Sequence, residues 1–425
     1  MKKLISLLLA LVMVFSLAAC GQSDNPGTTN SDPGTTNSEN PGGGGENTGL
    51  IQGDGFSRAK IAFATNQASE SFVNMQNYYN KVLGPALNIE FMFSEELNDA
   101  GALTTFIENA YAAGCQGILV DLANAIDQGA AVANDLGMFY VGISTAGAVE
   151  NRNLENYISV VAPSAEGYSD SYAEAIASVV NDGQEHSVLI LSGAACYGAV
   201  SFIEGTAGCL RALQDIYNLT YDEDIMALST TSTQVDAKND KGIKITVFPG
   251  MADLTSLVSP LLQTGEYDVL VGTTDIYASL SVAVDEVEKA TGKNISFISR
   301  NTFSETIANA FNTNDSTGHP VMDAFVGTGM YEHISGIIVL RNCIDGYVDK
   351  MRDGNEVSRI PGMRPPVVTS AEVYGVLSNP DLPYCFTEID DILGMCSVNN
   401  PDVTFADIDA YGAALTTDNL MAKYG

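Results

Sequence analysis

The chain has 425 residues, of which 52 are acidic and 19 basic, so its formal net charge at pH 7 is −33. This excess of negative charge opposes binding to nucleic acid and to anionic lipid headgroups. The length is sufficient for two lobes with separate hydrophobic cores, and the sequence contains no tryptophan.

The first residues have the three-part pattern of a secretory signal. Lys2 and Lys3 precede the apolar run 4–17, and small residues precede Cys20. The run is short for a bilayer about 30 Å thick, although a transmembrane anchor is the alternative. The tetrapeptide LAAC resembles a bacterial lipobox, which implies cleavage before Cys20 and acylation of its thiol. We therefore expect a signal peptide over 1–20 and an extracytoplasmic protein anchored to the bacterial cell membrane by lipidated Cys20.

Residues 21–55 are dominated by glycine, threonine, asparagine, serine and proline. The stretch NPGTTNSDPGTTNSENPGGGGENTG contains no aromatic residue. Such a segment cannot bury enough apolar surface to offset its ordering entropy. The composition predicts a flexible linker over 21–55.

From residue 59, short apolar runs alternate with segments of helical spacing. A first series of predicted strands comprises AKIAFAT, NIEFMFS, GILVDLA, MFYVGIST and NYISVVA. A second series comprises SVLILSG, IKITVFPG, YDVLVGTT, ISFISRN and DAFVGTG. Strands that alternate with helices indicate parallel sheets built from βαβ units. The sequence therefore predicts an α/β fold with two doubly wound parallel-sheet lobes joined by a hinge and a ligand cleft between them.

Three stretches resemble the type I periplasmic binding proteins, near the ribose- and galactose-binding branch of ABC-transporter substrate-binding proteins. They are GCQGILVDLANA…AAVANDLGMFYVGIST, VLILSGAACYGAVSFIEGTAGCLRAL and YDVLVGTTDIYASLSVAVDEV, in which Asp275 keeps an acidic residue of the family pattern. The resemblance implies that lobe one comprises 56–161 plus 302–345 and that lobe two comprises 162–301. Residues 346–425 are then a C-terminal extension that returns across the hinge.

The resemblance and the strand ends together indicate ligand contacts, because ligands bind beyond the carboxyl ends of the strands in open α/β sheets. The expected contacts are Asn66, Gln67, Ser69, Phe72, Asp121, Asn124, Ser144, Thr145, Cys196, Tyr197, Thr274, Asp275, Tyr277, Arg300, Asn301, Thr328 and Tyr331. Two of them have an alternative structural role. Phe72 either stacks on the ligand or is the first core residue of its helix, and Arg300 either faces the ligand or pairs with Asp275 or Glu305.

The sequence departs from the sugar-binding pattern at three places. Sugar binders of this family have an Asp-Arg pair, an Arg and an Asp where this chain has Ser144-Thr145, Ser201 and Arg300-Asn301. Charged groups make the strongest hydrogen bonds to polyols. These departures put a ribose-like ligand in doubt.

Six cysteines remain after Cys20. Cys115 and Cys343 lie in apolar helical surroundings and are expected in the core. An even number of cysteines outside the cell permits disulfides, with Cys385 and Cys396 the favoured pair, although the sequence does not fix the connectivity.

The leading hypothesis is a lipid-anchored, monomeric solute-binding protein that captures a small polar ligand, sugar-like or related, and delivers it to an ABC permease and its ATPase. A ligand sensor that signals to a membrane receptor without transport is the alternative. An extracellular enzyme with Cys196 as its nucleophile is a third hypothesis, but no histidine motif accompanies that cysteine. We expect no cofactor, no metal and no nucleic-acid partner.

Overall fold

Parallel strands alternate with helices in the part of the chain that the computed structural model describes, residues 49–66, 70–122, 126–143, 152–327 and 331–425. The strands are β1 Ala59–Thr65, β2 Ile89–Glu96, β3 Gly117–Asp121, β4 Phe139–Ile143, β5 Tyr157–Val161, β6 Val188–Leu191, β7 Val235–Asp236, β8 Ile245–Phe248, β9 Val269–Gly272, β10 Ser296–Asn301, β11 Ala324–Gly327, β12 Ser358–Ile360 and β13 Val367–Val368.

The α-helices are α1 Glu70–Tyr78, α2 Gly84–Leu87, α3 Ala100–Ala112, α4 Ile126–Leu136, α5 Ala165–Val180, α6 Val200–Tyr217, α7 Ile225–Ser229, α8 Leu254–Leu262, α9 Tyr277–Thr291, α10 Glu305–Asn312, α11 Tyr331–Ile344, α12 Val348–Met351, α13 Ala371–Leu377, α14 Ile389–Gly394, α15 Phe405–Ala413 and α16 Thr417–Tyr424. A π-helical stretch, Tyr79–Leu83, joins α1 to α2. None of the described helices combines the length and the apolar composition needed to cross a bilayer.

The first sheet has the strand order β12-β5-β4-β3-β1-β2, and all of its strand pairs are parallel. Its central strands are buried, as expected for apolar runs covered on both faces. Helix α11 packs against β3, β4 and β5. The register places Thr65 opposite Asp121 and Asp121 opposite Ile143, so these strands end at the same edge.

The second sheet has the order β13-β11-β10-β9-β6-β8-β7. Its five inner strands are parallel, and the short edge strands β7 and β13 are antiparallel to their neighbours. Helices α5 and α6 pack closely on each other, and α5 also contacts β10, β11 and β13. We call the first sheet with its helices lobe one and the second sheet with its helices lobe two.

The division of the chain between the sheets differs from the expected boundaries. We expected residues 302–345 to belong to lobe one, but β11 pairs in parallel with β10 in the second sheet. The assignment is therefore wrong for residues 324–327, and the chain returns to lobe one between Gly327 and α11. The apolar pattern identified β11 as a strand but could not show which sheet it joins.

The C-terminal extension adds an edge strand to each sheet, because β12 pairs with β5 and β13 pairs with β11. Beyond β13 it also contacts α11 of lobe one. The Asn342 side chain donates to Met395 O at 3.0 Å and accepts from Ser397 N at 2.7 Å. The Tyr331 hydroxyl donates to Ile408 O at 2.8 Å. These bonds attach α14 and α15 to lobe one.

The same extension is attached to lobe two through Tyr374 of α13. Its hydroxyl accepts from Ser304 N at 2.8 Å and donates to Ser304 O at 2.5 Å. Its ring packs against Phe303, Phe311 and Phe325. The extension is therefore bonded to both lobes.

Two further expectations are corrected. The linker was expected to reach residue 55, yet Ile51 exchanges two hydrogen bonds with Asn399 and residues Gly53–Gly55 form a 3-10 turn. The predicted disulfide between Cys385 and Cys396 is not formed, because both cysteines are free thiols. Buried Cys396, which follows α14, donates instead to Ile392 O in the last turn of that helix. The expected core positions of Cys115 and Cys343 are confirmed.

The close packing of α5 on α6 depends on Gly208. A Cβ at this position would lie 2.1 Å from Ser169 O, so Gly208→Ala forces the two helices apart. We expect a loss of about 1–3 kcal/mol in the free energy of unfolding, measured by urea denaturation.

Gly375→Ala is the matched control, because a Cβ on this α13 residue meets no atom within 4 Å. Its free energy of unfolding should stay unchanged or rise by up to about 1 kcal/mol. Equal stability of the two variants would contradict the proposed helix contact.

Candidate functional site

The carboxyl edge of the first sheet carries a hydrogen-bonded carboxylate and imidazole. Asp121 ends β3, and its Oδ2 lies 3.0 Å from Nε2 of His333 on α11. A carboxylate only accepts hydrogen bonds, so His333 donates through Nε2. The edge of the His333 ring contacts the Phe63 ring of β1, with centroids 5.2 Å apart. The histidine is thus fixed in orientation at the end of the strands.

The carboxyl edge of the second sheet carries Arg300 and Asn301 at the end of β10. The Arg300 guanidinium lies over the Tyr168 ring of α5, 5.3 Å from the centroid, and its Nη2 is 3.5 Å from the Tyr168 hydroxyl. Burial acts to lower the pKa of Arg300, but Tyr168, Tyr172 and Glu332 act in the opposite direction and raise it. Arg300 is therefore a permanent cation at this edge.

Glu332 connects the two edges. It lies in the first turn of α11, is buried, and interacts electrostatically with Arg300 of lobe two and with Asp121 and His333 of lobe one. Burial raises the pKa of its carboxyl, and Asp121 adds to this effect while His333 and Arg300 oppose it. The carboxyl ends of both sheets therefore converge on the beginning of α11.

Several buried polar atoms near these edges have no hydrogen-bond partner among the described residues. They are Oδ1 of Asn301, Oγ of Ser192 after β6, Nδ1 of His333 and the hydroxyl of Tyr79. Buried polar atoms are nearly always paired, since an unmade hydrogen bond costs about 1–3 kcal/mol. Two of these atoms belong to lobe one and two to lobe two. They are suited to hydrogen-bond a polar molecule between the lobes.

Five of the expected ligand contacts lie at loops or strand ends on the carboxyl edges. These are Asp121, Cys196, Thr274, Arg300 and Asn301. Cys196 is half-buried in the 3-10 turn Ala195–Tyr197 that follows β6, and Thr274 follows β9. Within the described ion pairs, Arg300 pairs with neither Asp275 nor Glu305, the two partners that the sequence left open.

Other expected contacts have local structural roles. Asp275 Oδ1 accepts from Tyr277 N at 3.0 Å at the start of α9, and the Tyr277 ring packs on Phe297. Two further expected contacts, Asn66 and Tyr197, are instead exposed to solvent, and Tyr197 is 88% exposed.

Phe72 and Tyr331 are core residues. Phe72 is buried against Phe63 and Phe93, as in the core alternative for this residue. Tyr331 is fully buried, and its hydroxyl is directed to the C-terminal extension, so the expected ligand contact at Tyr331 is not supported. The sequence could not show this, because the partner Ile408 lies far along the chain.

Six expected contacts lie outside the described residues. They are Gln67, Ser69, Asn124, Ser144, Thr145 and Thr328. They remain predictions, as does lipidation at Cys20, which is also outside the described residues.

Four residues at these edges were not among the expected ligand contacts: Tyr168, Ser192, Glu332 and His333. Ser192 immediately follows the strand β6, so the rule applied to the other strand ends could have found it. The other three lie on helices, and tertiary packing alone brings them to the strand edges. The described residues contain no group of three or more potential metal ligands.

No protein-family model and no curated protein sequence matches this chain. Solved structures are similar in fold. A periplasmic sugar-binding protein from Pseudomonas fluorescens has a TM-score of 0.56 at 9% identity, with 85% of this chain and 99% of that chain covered. A periplasmic ribose ABC transporter protein from Conexibacter woesei has a TM-score of 0.52 at 15% identity, with 76% and 95% covered.

A third similar structure is an ABC transporter periplasmic solute-binding protein from Actinobacillus succinogenes with bound D-allose. Its TM-score is 0.50 at 15% identity, and the match covers 74% of this chain and 98% of that chain. The fold is thus that of two doubly wound parallel sheets whose carboxyl edges meet. It is the fold of the type I periplasmic binding proteins, which confirms the expected fold class and the resemblance in fold.

The raised pKa of Glu332 predicts a pH-dependent stability. The folded state favours the protonated carboxyl, so protonation of Glu332 stabilises the folded state. This stabilisation is complete below the usual pKa of 4.5, and it is lost as pH rises through the raised pKa of Glu332 in the folded protein. Glu332→Gln keeps the side chain neutral. We expect the stability of this variant relative to wild type to increase as pH rises from 4.5, in urea denaturation at a series of pH values.

Glu108→Gln, on the exposed face of α3, is the control and should follow the wild-type profile. The other ionisable groups near Glu332, which include Asp121, His333 and Cys385, are present in all three proteins. A pH-independent difference between Glu332→Gln and wild type would contradict a raised pKa at Glu332.

Proposed function

We propose that this protein is an extracytoplasmic solute-binding protein that captures a small polar ligand, sugar-like or related, between its lobes. The observation that carries the proposal is the set of unpartnered polar atoms on both lobes, Oδ1 of Asn301, Oγ of Ser192 and Nδ1 of His333. Together with Arg300 and Asp121 they offer both donors and acceptors, as a hydroxyl-rich molecule requires. The similar structures include a periplasmic ribose ABC transporter protein and a solute-binding protein with bound D-allose, which supports this ligand class.

The mechanism is capture by lobe closure. A ligand that bonds to Arg300 or Asn301 on lobe two and to His333 on lobe one stabilises the arrangement in which these groups are close. No bond in the ligand needs to break, and we propose a binding role without catalysis. Cys196, the nucleophile of the enzyme hypothesis, has no described hydrogen bond to a histidine.

The same comparison supports a proposal for the transport partner. Three of the similar structures are named as ABC transporter or sugar-binding proteins, and we propose that this monomeric protein delivers its ligand to an ABC permease and its ATPase. A sensor that signals to a membrane receptor would use the same closure. A permease and an ATPase encoded beside this gene would favour transport.

The ligand can be identified directly. Native mass spectrometry of the full chain should show a co-purified small molecule, and thermal-shift assays against sugars, polyols, nucleosides and amino acids should show a stabilising compound. A ligand at 100 times its Kd stabilises the native state by about 2.7 kcal/mol, which is a measurable rise in Tm. Stabilisation by amino acids or nucleosides, with no response to any sugar or polyol, would contradict the sugar-like ligand.

Arg300→Met tests the site with the ligand so identified. Loss of a charged hydrogen bond should weaken binding by roughly 10–100-fold in isothermal titration calorimetry. Arg58→Met is the matched control, because Arg58 pairs with Glu90 at the opposite edge of the first sheet and is exposed. Equal affinities of the two variants would place the ligand away from Arg300.

The proposed lipid anchor has a separate test. In a bacterial host, wild-type protein should incorporate an alkyne-labelled palmitate and sediment with membranes. Cys20→Ser should incorporate none and should appear in the soluble or uncleaved fraction. Cys196→Ser is the control. It makes the same thiol-to-hydroxyl change at another cysteine and should behave as wild type. Label in the Cys20→Ser protein would exclude Cys20 as the acylated residue.

A further inference from the structure

An apolar cavity of about 250 Å³ lies between the C-terminal extension and lobe two. The extension supplies most of its wall, including Pro366, Leu382, Tyr384 and Phe386, and lobe two supplies Phe303. Cavities of about 150 Å³ lined by apolar side chains already accept a benzene ring. The space is therefore large enough for an aromatic ring or a short aliphatic group.

The lining of this cavity carries no charge at neutral pH. It contains no acidic or basic side chain, and its ionisable members are Tyr384 and Cys385. Burial raises the pKa of both groups, so both are neutral. Such a surface favours an apolar group and disfavours the hydroxyls of a bare sugar.

The cavity adjoins the polar site. Phe303, in its wall, follows Asn301 by two residues, and the 3-10 turn Tyr384–Phe386 packs against α11, which carries Glu332 and His333. Cys385 interacts electrostatically with Glu332, the carboxyl that also interacts with Arg300. A molecule held by Asn301 and Arg300 thus has an apolar space beside it.

The wall of the cavity is fixed to both lobes. The Tyr384 ring stacks on Tyr78 of lobe one, with centroids 4.5 Å apart, and Phe303 packs against Phe325 of lobe two. Cys385 and Phe386 have φ values of 54° and 59°, which costs non-glycine residues of order 1–3 kcal/mol each. The surrounding packing holds this strained turn in place, so the cavity is a built feature of the fold.

We propose that this cavity is a subsite for an apolar group carried by the same ligand that binds the polar edges. The natural ligand is then amphiphilic, a polar hydroxyl-bearing part joined to an aryl or short alkyl group. This inference rests on the proposed solute-binding function and adds to it a ligand class. The C-terminal extension supplies the subsite and thereby determines specificity.

Pairs of methyl and phenyl glycosides of the same sugars test the subsite with the full-length protein. Burying a phenyl ring should make the phenyl glycoside bind at least about tenfold more tightly in calorimetric titration. Leu382→Asp places a carboxylate in the cavity wall and should abolish this preference while leaving methyl glycoside binding unchanged. Leu257→Asp, on the exposed surface of α8, is the matched control and should keep the preference.

Ser378→Phe provides a second variant, because Ser378 lines the cavity and a larger side chain fills it without adding charge. Loss of the phenyl preference in a folded cavity variant supports the subsite. Equal binding of methyl and phenyl glycosides by wild type, or a preference that survives in both cavity variants, overturns it.

If neither the methyl nor the phenyl glycosides bind, the proposed sugar-like ligand is wrong. Phenol alone then tests the apolar subsite. Saturation-transfer NMR should show phenol bound to wild type and to Leu257→Asp but not to Leu382→Asp. Absence of phenol binding to wild type overturns the subsite independently of the sugar result.

Discussion

The meeting of two strand edges around one buried carboxyl is the constraint on which the site depends. Parallel pairing brings the ends of β1, β3 and β4 to one edge and the ends of β6, β9 and β10 to another. Glu332 lies within electrostatic reach of both, with Arg300 on one side and the Asp121–His333 pair on the other. A carboxyl in such a place is costly to ionise, and its neighbours decide its charge. The charge balance of the candidate site is therefore shared between the two lobes.

The fold could be predicted from the sequence to the extent that apolar runs mark strands. The runs AKIAFAT and VLVG coincide with β1 and β9, because strands buried on both faces need continuous apolar side chains. The edge strands β12 and β13 have three and two residues, which is too short for a pattern to appear. The sheet that β11 joins also could not be inferred, since DAFVGTG would suit either sheet. Strand identity is local information, whereas sheet membership depends on tertiary packing.

The candidate site was predictable only where it follows strands. Arg300, Asn301 and Asp121 were selected because a residue at the carboxyl end of a parallel strand lies at the ligand edge. Tyr168, Glu332 and His333 lie on helices whose spacing shows an apolar face but not the neighbours of the polar residues. Tyr331 illustrates the opposite error, because a position directly after a strand can still face a distant segment. The hydrogen bond to Ile408 crosses 77 positions of sequence, and no local pattern records it.

The attachment of the C-terminal extension to both lobes has a consequence for affinity. Segments α14 and α15 are bonded to α11, while Tyr374 is bonded to Ser304, so wide separation of the lobes requires breaking one set of contacts. Such a tether restricts the ensemble of open conformers before any ligand arrives. The apparent Kd of a closing receptor equals its intrinsic Kd divided by the fraction already competent to bind. In the proposed solute-binding function, a segment outside the hydrogen-bonding edges raises that fraction and so lowers the solute concentration that half-fills the site.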